Sequence, residues 1–137
     1  MRVEERFLKY VSYWTTSDDE NNQTPSSERQ FELGKVLEAE LNELGLQKVI
    51  LTDHCYVYGL LPATKGCEQV KALGLIAHMD TAPDFCGKDV KPQVIENYDG
   101  NDVLLKGNGT YLKVSDFPDL KNLVGKPLIT TDGTTLL

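Results

Sequence analysis

The sequence predicts an α/β fold in which helices and strands pack in layers. Two helix-like segments come first, and a series of strand-like segments follows them. One of these, residues 70–80, has no polar side chain from residue 72 to residue 77, which is typical of a strand covered by helices on both faces. Two helices followed by strands, with such a strand in the middle, favour an α/β layered domain.

Both helices are indicated by apolar residues that recur every three or four positions. Residues 2–14 carry one apolar stripe, which predicts the first helix. The second is expected to begin at Thr24 or Pro25, because threonine accepts hydrogen bonds from free backbone N–H groups and proline suits the first helical position. It should end at Gly45, since glycine readily adopts the left-handed conformation that closes many helices.

Strands are predicted by short runs of aliphatic and aromatic residues bounded by turn residues. These runs are residues 47–53, 55–63, 70–80, 93–98, 102–107 and 110–114. A short helical turn is expected after Pro118, and residues 127–137 are expected to form a hairpin with Asp132 and Gly133 in its tight turn. The chain would then stop on an unpaired apolar strand, which predicts a fragment of a longer protein.

The overall composition is near the average for a soluble globular protein, and it disfavours two kinds of partner. The chain has 137 residues, of which 40% are hydrophobic and 26% charged, so it fits one domain or part of one. Its net charge is −7, and it has no cluster of lysines and arginines. We therefore expect no binding to nucleic acid or to an anionic membrane.

The cysteines point to a reducing compartment. Cys55, Cys67 and Cys86 are odd in number and form no CxxC motif, so the sequence suggests neither a disulfide framework nor a cysteine zinc site. A cytoplasmic location is the expectation.

The candidate site is the stretch LGLIAHMDTAP, in which a buried strand ends at His78 and Asp80. Side chains two positions apart on a strand point the same way, so the carboxylate can accept a hydrogen bond from one imidazole nitrogen. Such a pair orients metal-binding histidines, and sites in α/β sheets gather at the carboxyl ends of strands. The alternative is a hydrogen-bonded polar histidine beside an aspartate that caps a turn. His54, next to Asp53, is expected to be a turn residue.

The longer block AHMDTAPDFCGKDVKPQVIENYDGNDV closely resembles the peptidase T family of aminotripeptidases, which are cytoplasmic dinuclear zinc exopeptidases. Four other stretches share this resemblance, so that it extends over essentially the whole chain. They are ERFLKYVSYWTTSD, TPSSERQFELGKVLEAELNELGL, GLLPAT and GKPLITTDGTTLL.

The resemblance implies that residues 1–137 are the N-terminal portion of a zinc-exopeptidase catalytic domain, with a mixed β-sheet flanked by helices and additional β-hairpins. It implies that His78 is the first zinc ligand and that Asp80 is the catalytic aspartate that holds this histidine. A bridging aspartate, a glutamate general base and the other metal ligands would follow Leu137. The isolated chain is therefore expected to bind zinc weakly and to be inactive on peptides.

For the intact enzyme, the resemblance implies release of the N-terminal residue from tripeptides, with two zinc ions in each active site. Two alternatives stay open. The first is another reaction of the same zinc group, carried out by a different exopeptidase or a deacylase, because a His-x-Asp motif does not separate these. The second is a stand-alone, non-catalytic domain that serves as an interaction module.

Overall fold

The secondary structure comes from a computed structural model that describes residues 1–136. Its helices are Val3–Tyr10 (α1) and Gln30–Glu43 (α2), and a 3₁₀-helix covers Pro118–Leu123 (η1). Its strands are Gln47–Leu51 (β1), Val57–Leu60 (β2), Pro92–Ile95 (β3), Val103–Leu105 (β4), Thr110–Leu112 (β5) and Leu128–Thr131 (β6). None of the helices in this part of the chain is long and apolar enough to cross a membrane.

The strands form antiparallel pairs, and the mixed sheet expected from the sequence is absent from residues 1–136. β1 pairs with β2, β3 with β6, and β4 with β5. Each pair is a two-stranded sheet of its own. The structure is thus a small α/β arrangement of helices and short strand pairs.

The central strand predicted over residues 70–80 is not formed. This segment contains neither helix nor strand, and it exposes Leu75 at 88% and Ile76 at 100% of their surface. A strand requires a hydrogen-bonded neighbour, and a run that is apolar on both faces also requires covering layers. The described chain provides neither for these residues, so the prediction was wrong for this structure.

The hairpin predicted over residues 127–137 is also wrong, because β6 pairs with β3 instead of folding back on itself. Gly133 has a positive φ of 90°, but Asp132 does not, and a primed turn needs both. The Asp132 carboxylate instead accepts hydrogen bonds from the Thr134 N–H at 2.9 Å and hydroxyl at 2.6 Å. This is a local Asx turn. The predicted end of the hairpin, Leu137, lies outside the described residues.

The first helix ends at Tyr10, earlier than predicted. Beyond this point the backbone makes tighter turns, as the Ser12 N–H donates to the Lys9 carbonyl at 3.2 Å. The Ser12 hydroxyl donates to the same carbonyl at 2.6 Å. Serine side chains that bond the backbone locally in this way compete with helix continuation.

The second helix begins at Gln30, later than the predicted start at Thr24 or Pro25. The residues before it belong to a loop, in which the Asp18 N–H donates to Ser26 Oγ at 3.1 Å. Its predicted end is confirmed, since the glycine after Leu44 has a φ of 79°.

Thr15–Thr81 form one compact unit, in which α2 packs against β1 and β2. Leu33 is buried on the inner face of the helix. A Cβ on Gly34 would lie 3.0 Å from the Leu51 side chain and 3.3 Å from Cys55 Sγ. The absence of a side chain at this position therefore lets the helix approach β1 closely.

Met1–Trp14 and the residues from Ala82 onwards form a second compact unit. Its core consists of the buried side chains of Tyr98, Val103 and Leu120. Partly buried apolar residues pack around them, namely Ile95, Leu112, Val114, Leu123 and Leu128. The assignment of residues 1–137 to one incomplete catalytic domain stays a prediction.

Candidate functional site

His78 and Asp80 lie at the end of the irregular segment that was predicted to be a strand. Their position is set instead by a parallel bridge between Thr16 and Thr81. The Ser17 N–H donates to the Thr81 carbonyl at 3.0 Å, and the hydroxyls of the two threonines lie 3.1 Å apart. Thr16 and Ser17 thus hold the chain next to the candidate site in place.

The hydrogen bond predicted from the His-x-Asp spacing is present. His78 Nδ1 lies 3.1 Å from Asp80 Oδ1. An ionised carboxylate only accepts hydrogen bonds, so Nδ1 carries the proton and Nε2 keeps its lone pair. Because the His78 side chain is 83% exposed, this lone pair is at the surface of the unit, where a metal ion can reach it. The metal-ligand and catalytic roles of the two residues stay predictions.

The second oxygen of Asp80 has a partner that the sequence did not reveal. Ser17 Oγ donates a hydrogen bond to Asp80 Oδ2 at 2.6 Å. This hydroxyl first, and the hydrogen bond from His78 next, hold the pKa of Asp80 below its usual range, while partial burial acts in the opposite direction. Asp80 is therefore an ionised acceptor at neutral pH, as the arrangement of the pair requires.

The segment that carries Ser17 is anchored to the start of α2. Gln30 is buried, and its amide nitrogen lies 3.2 Å from the Thr15 carbonyl and 3.4 Å from Ser17 Oγ. Arg29 Nη2 donates to the Thr16 carbonyl at 3.3 Å. The polar contacts of residues 15–17 therefore connect the candidate site to the start of α2 in the same unit.

His54 behaves as the turn residue that the sequence predicted. It lies in the turn between β1 and β2, and its Nδ1 is 3.2 Å from the Thr24 carbonyl. Its Nε2 is 3.9 Å from the carboxylate of Asp53, which is 90% exposed. Among residues 1–136, this second His–Asp pair has no counterpart of the Ser17 contact, and it serves as a matched control for His78 and Asp80.

The residues present fit part of a metal site. Zinc in proteins takes three or four ligands, with imidazole nitrogen among the commonest. His78, held by Asp80 with Nε2 free of the pair, has the tautomer and the carboxylate support of such a ligand. Across residues 1–136, however, no group of three or more histidine, cysteine, aspartate or glutamate side chains could hold a metal ion.

Several curated proteins are similar in sequence to this chain. They carry the name peptidase T. The chain is 57% identical over 137 residues to the protein from Caldanaerobacter subterraneus subsp. tengcongensis, and this match covers 99% of the chain and 33% of the relative. It is 53% identical to the one from Alkaliphilus oremlandii (97% of this chain, 33% of the relative) and 53% identical to the one from Aliivibrio fischeri (97% and 32%). No protein-family model matches the chain.

The predicted resemblance to peptidase T is thereby confirmed over almost the whole chain. The chain spans about a third of the length of the curated relatives that it matches. The activity and the substrates of the whole protein are therefore a matter for the proposal below.

Proposed function

We propose that this chain is the N-terminal portion of the catalytic domain of a tripeptide aminopeptidase, a zinc exopeptidase that releases the N-terminal residue from tripeptides. The observation that carries the proposal is the 57% identity to a protein named peptidase T over 99% of the chain. The His78–Asp80 hydrogen bond supports it, because a peptidase that uses a metal ion needs ligands held in this way.

In the proposed enzyme, His78 would hold zinc through Nε2, while Asp80 keeps the proton on Nδ1 by accepting its hydrogen bond. Zinc held there would supply Lewis-acid chemistry, which lowers the pKa of a water molecule and polarises the scissile carbonyl. In this chemistry, Asp80 fixes the orientation of the His78 ring and raises the strength of His78 as a ligand. The remaining ligands and the general base are expected outside this chain, so the isolated chain should not hydrolyse peptides.

The substrates, the location and the partners of the proposed enzyme are inferred from the sequence and its resemblance to peptidase T. Short peptides are its proposed substrates, and the cytoplasm is its proposed location because of the number and spacing of the cysteines. Neither nucleic acid nor a membrane is a proposed partner for a chain with a net charge of −7.

The test is an assay of the whole protein, with zinc, on three kinds of substrate. These are tripeptides with a free amine, the same tripeptides with an acetylated amine, and N-acyl amino acids. We expect release of the N-terminal residue from the free tripeptides, loss of activity with a chelator, and recovery with zinc. Preferred cleavage of the acylated compounds would contradict the proposal in favour of a deacylase, and release of the C-terminal residue would favour a carboxypeptidase.

Variants of the same protein test the two site residues. Asp80→Ala should lower kcat/KM about 10- to 100-fold, the usual effect of removing the carboxylate behind a metal-binding histidine. His78→Ala should lower it further. Asp53→Ala is the matched control, since it removes an exposed carboxylate beside a histidine. Full activity of Asp80→Ala would contradict the assignment.

A further inference from the structure

We propose that Ser17 is a positioning residue for the His78–Asp80 pair, with Gln30 directing the Ser17 hydroxyl. The inference rests on the proposed function, because a histidine that binds a metal ion needs its Nε2 lone pair held in a fixed direction. The geometry that carries it is a chain of hydrogen bonds within one compact unit, from a buried amide to an exposed imidazole.

The first step is that Asp80 needs a second support. Its side chain is 44% exposed and that of His78 is 83% exposed, so one hydrogen bond between them leaves both free to rotate. Ser17 Oγ, at 2.6 Å from Oδ2, forms a short hydrogen bond to a charged acceptor, which is stronger than one between neutral groups. With Oδ2 held, the other oxygen of the carboxylate stays directed at His78 Nδ1.

The second step is that Ser17 is itself fixed in place. Its backbone N–H donates to the carbonyl of Thr81, the residue that follows Asp80. The neighbouring Thr16 contacts Thr81 through both the bridge and the hydroxyls. The serine hydroxyl therefore lies beside the carboxylate because two backbone segments are joined at this point.

The third step concerns the direction of the Ser17 proton. A hydroxyl carries one proton and two lone pairs. The buried Gln30 amide donates to Ser17 Oγ at 3.4 Å, while its other contact, with the Thr15 carbonyl at 3.2 Å, holds the amide in place. Since one lone pair of Oγ receives the amide proton, the hydroxyl proton is directed at Asp80, which accepts from it.

The test reads the His78 tautomer by NMR in the metal-free, 137-residue chain with ¹⁵N-labelled histidine. At mildly alkaline pH, the two tautomers of a neutral imidazole ring are distinguished by their nitrogen shifts. We expect His78 to carry its proton on Nδ1. Ser17→Ala should lower the ratio of Nδ1–H to Nε2–H about fivefold, as the loss of one supporting hydrogen bond implies.

Further variants separate positioning from general damage. Ser17→Thr keeps the hydroxyl and should restore the ratio, whereas Ser26→Ala removes a hydroxyl of the adjoining loop and should leave it unchanged. Ser17→Cys keeps the shape with a weak donor, so it tests the same bond should alanine disturb the fold. The His54 signals serve as the internal reference. An unchanged His78 ratio in both folded Ser17→Ala and folded Ser17→Cys would overturn the proposal.

This result is independent of the peptidase proposal. The NMR sample contains neither zinc nor substrate. A whole protein that is inactive on tripeptides would therefore overturn the proposed function and leave the positioning role of Ser17 unaffected. If the proposed function and the positioning role both hold, Ser17→Ala in the whole enzyme should lower kcat about tenfold with little change in KM. Ser17→Thr should restore kcat.

Discussion

Ser17 and Asp80 are 63 residues apart in the sequence, and their side chains meet at 2.6 Å. This contact joins the two ends of the Thr15–Thr81 unit at the point where Asp80 holds His78. The candidate site is thus built by a long-range contact, although the His-x-Asp motif itself is local.

The isolated chain should bind zinc only weakly. His78 provides one ligand, and residues 1–136 contain no cluster of three that would complete a site. Isothermal titration should therefore give a dissociation constant above about 1 μM. The control is His54→Ala, which should behave like the parent chain. A tighter constant that His78→Ala abolishes would contradict this expectation.

Replacement of Ile76 by serine should have almost no effect on the stability of the isolated chain. Ile76 is fully exposed, so its free energy of unfolding should change by less than about 0.5 kcal/mol. In the same unit, Leu33→Ala removes a buried side chain and should cost about 2–5 kcal/mol. Urea denaturation followed by circular dichroism measures both.

The same Ile76 substitution has a different expected outcome in the whole protein. If additional strands and helices cover residues 70–80 there, as the apolar pattern implies, Ile76→Ser should cost roughly 2 kcal/mol or more. An equally small effect in both proteins would show that this segment stays uncovered.

Asp132 should make stability depend on pH in the acid range. Hydrogen bonds from the Thr134 hydroxyl and N–H, in that order, with a smaller effect of Lys91, hold the pKa of Asp132 below its usual range against the effect of burial. A carboxylate with a lowered pKa in the folded state stabilises above its unfolded pKa of ~3.9, and this contribution is lost as pH falls through the folded value.

The comparison is therefore between Asp132→Asn and the parent chain in urea at several pH values. The variant should be less stable at pH 7, and the difference should shrink below about pH 4. Asp119→Asn, which removes an exposed carboxylate of η1, controls for the change in net charge. A difference for Asp132→Asn that does not vary with pH would refute the prediction.

Tyr98 should contribute to stability through its hydroxyl as well as through its ring. It is 2% exposed, and its hydroxyl donates to the Asn101 carbonyl at 2.6 Å. Tyr98→Phe should cost about 1 kcal/mol in the free energy of unfolding, the net value of one buried hydrogen bond. Tyr111→Phe, at a residue 52% exposed, should be neutral in the same measurement. Equal effects of the two substitutions would count against the role of the Tyr98 hydroxyl.

Several features that depend on neighbouring residues were predicted from the sequence, although α1 ends earlier and α2 begins later than expected. The helix that ends at Gly45 is present, as is the helical turn after Pro118, and strands occur within or beside five of the predicted runs. The turn at His54 and the His78–Asp80 hydrogen bond also follow from local spacing. Periodicity, turn residues and a separation of two positions act over a few residues, so they can be recognised in the sequence.

Features that depend on distant partners were not predicted. The apolar run ending at Ala77 has the pattern of a central strand, but a strand exists only when another strand pairs with it. Asp132-Gly133 has the pattern of a hairpin turn, but β6 finds its partner in β3. Neither partner is encoded in the segment itself.

The sequence by itself determined the α/β character of this chain, its resemblance to peptidase T, and the pairing of His78 with Asp80. Only the tertiary structure decided which strands pair, that the apolar run stays uncovered among residues 1–136, and that Ser17 supports Asp80. The physical reason is that a hydrogen bond or a packed face needs two partners in space. A sequence motif describes one partner, and the fold selects the other.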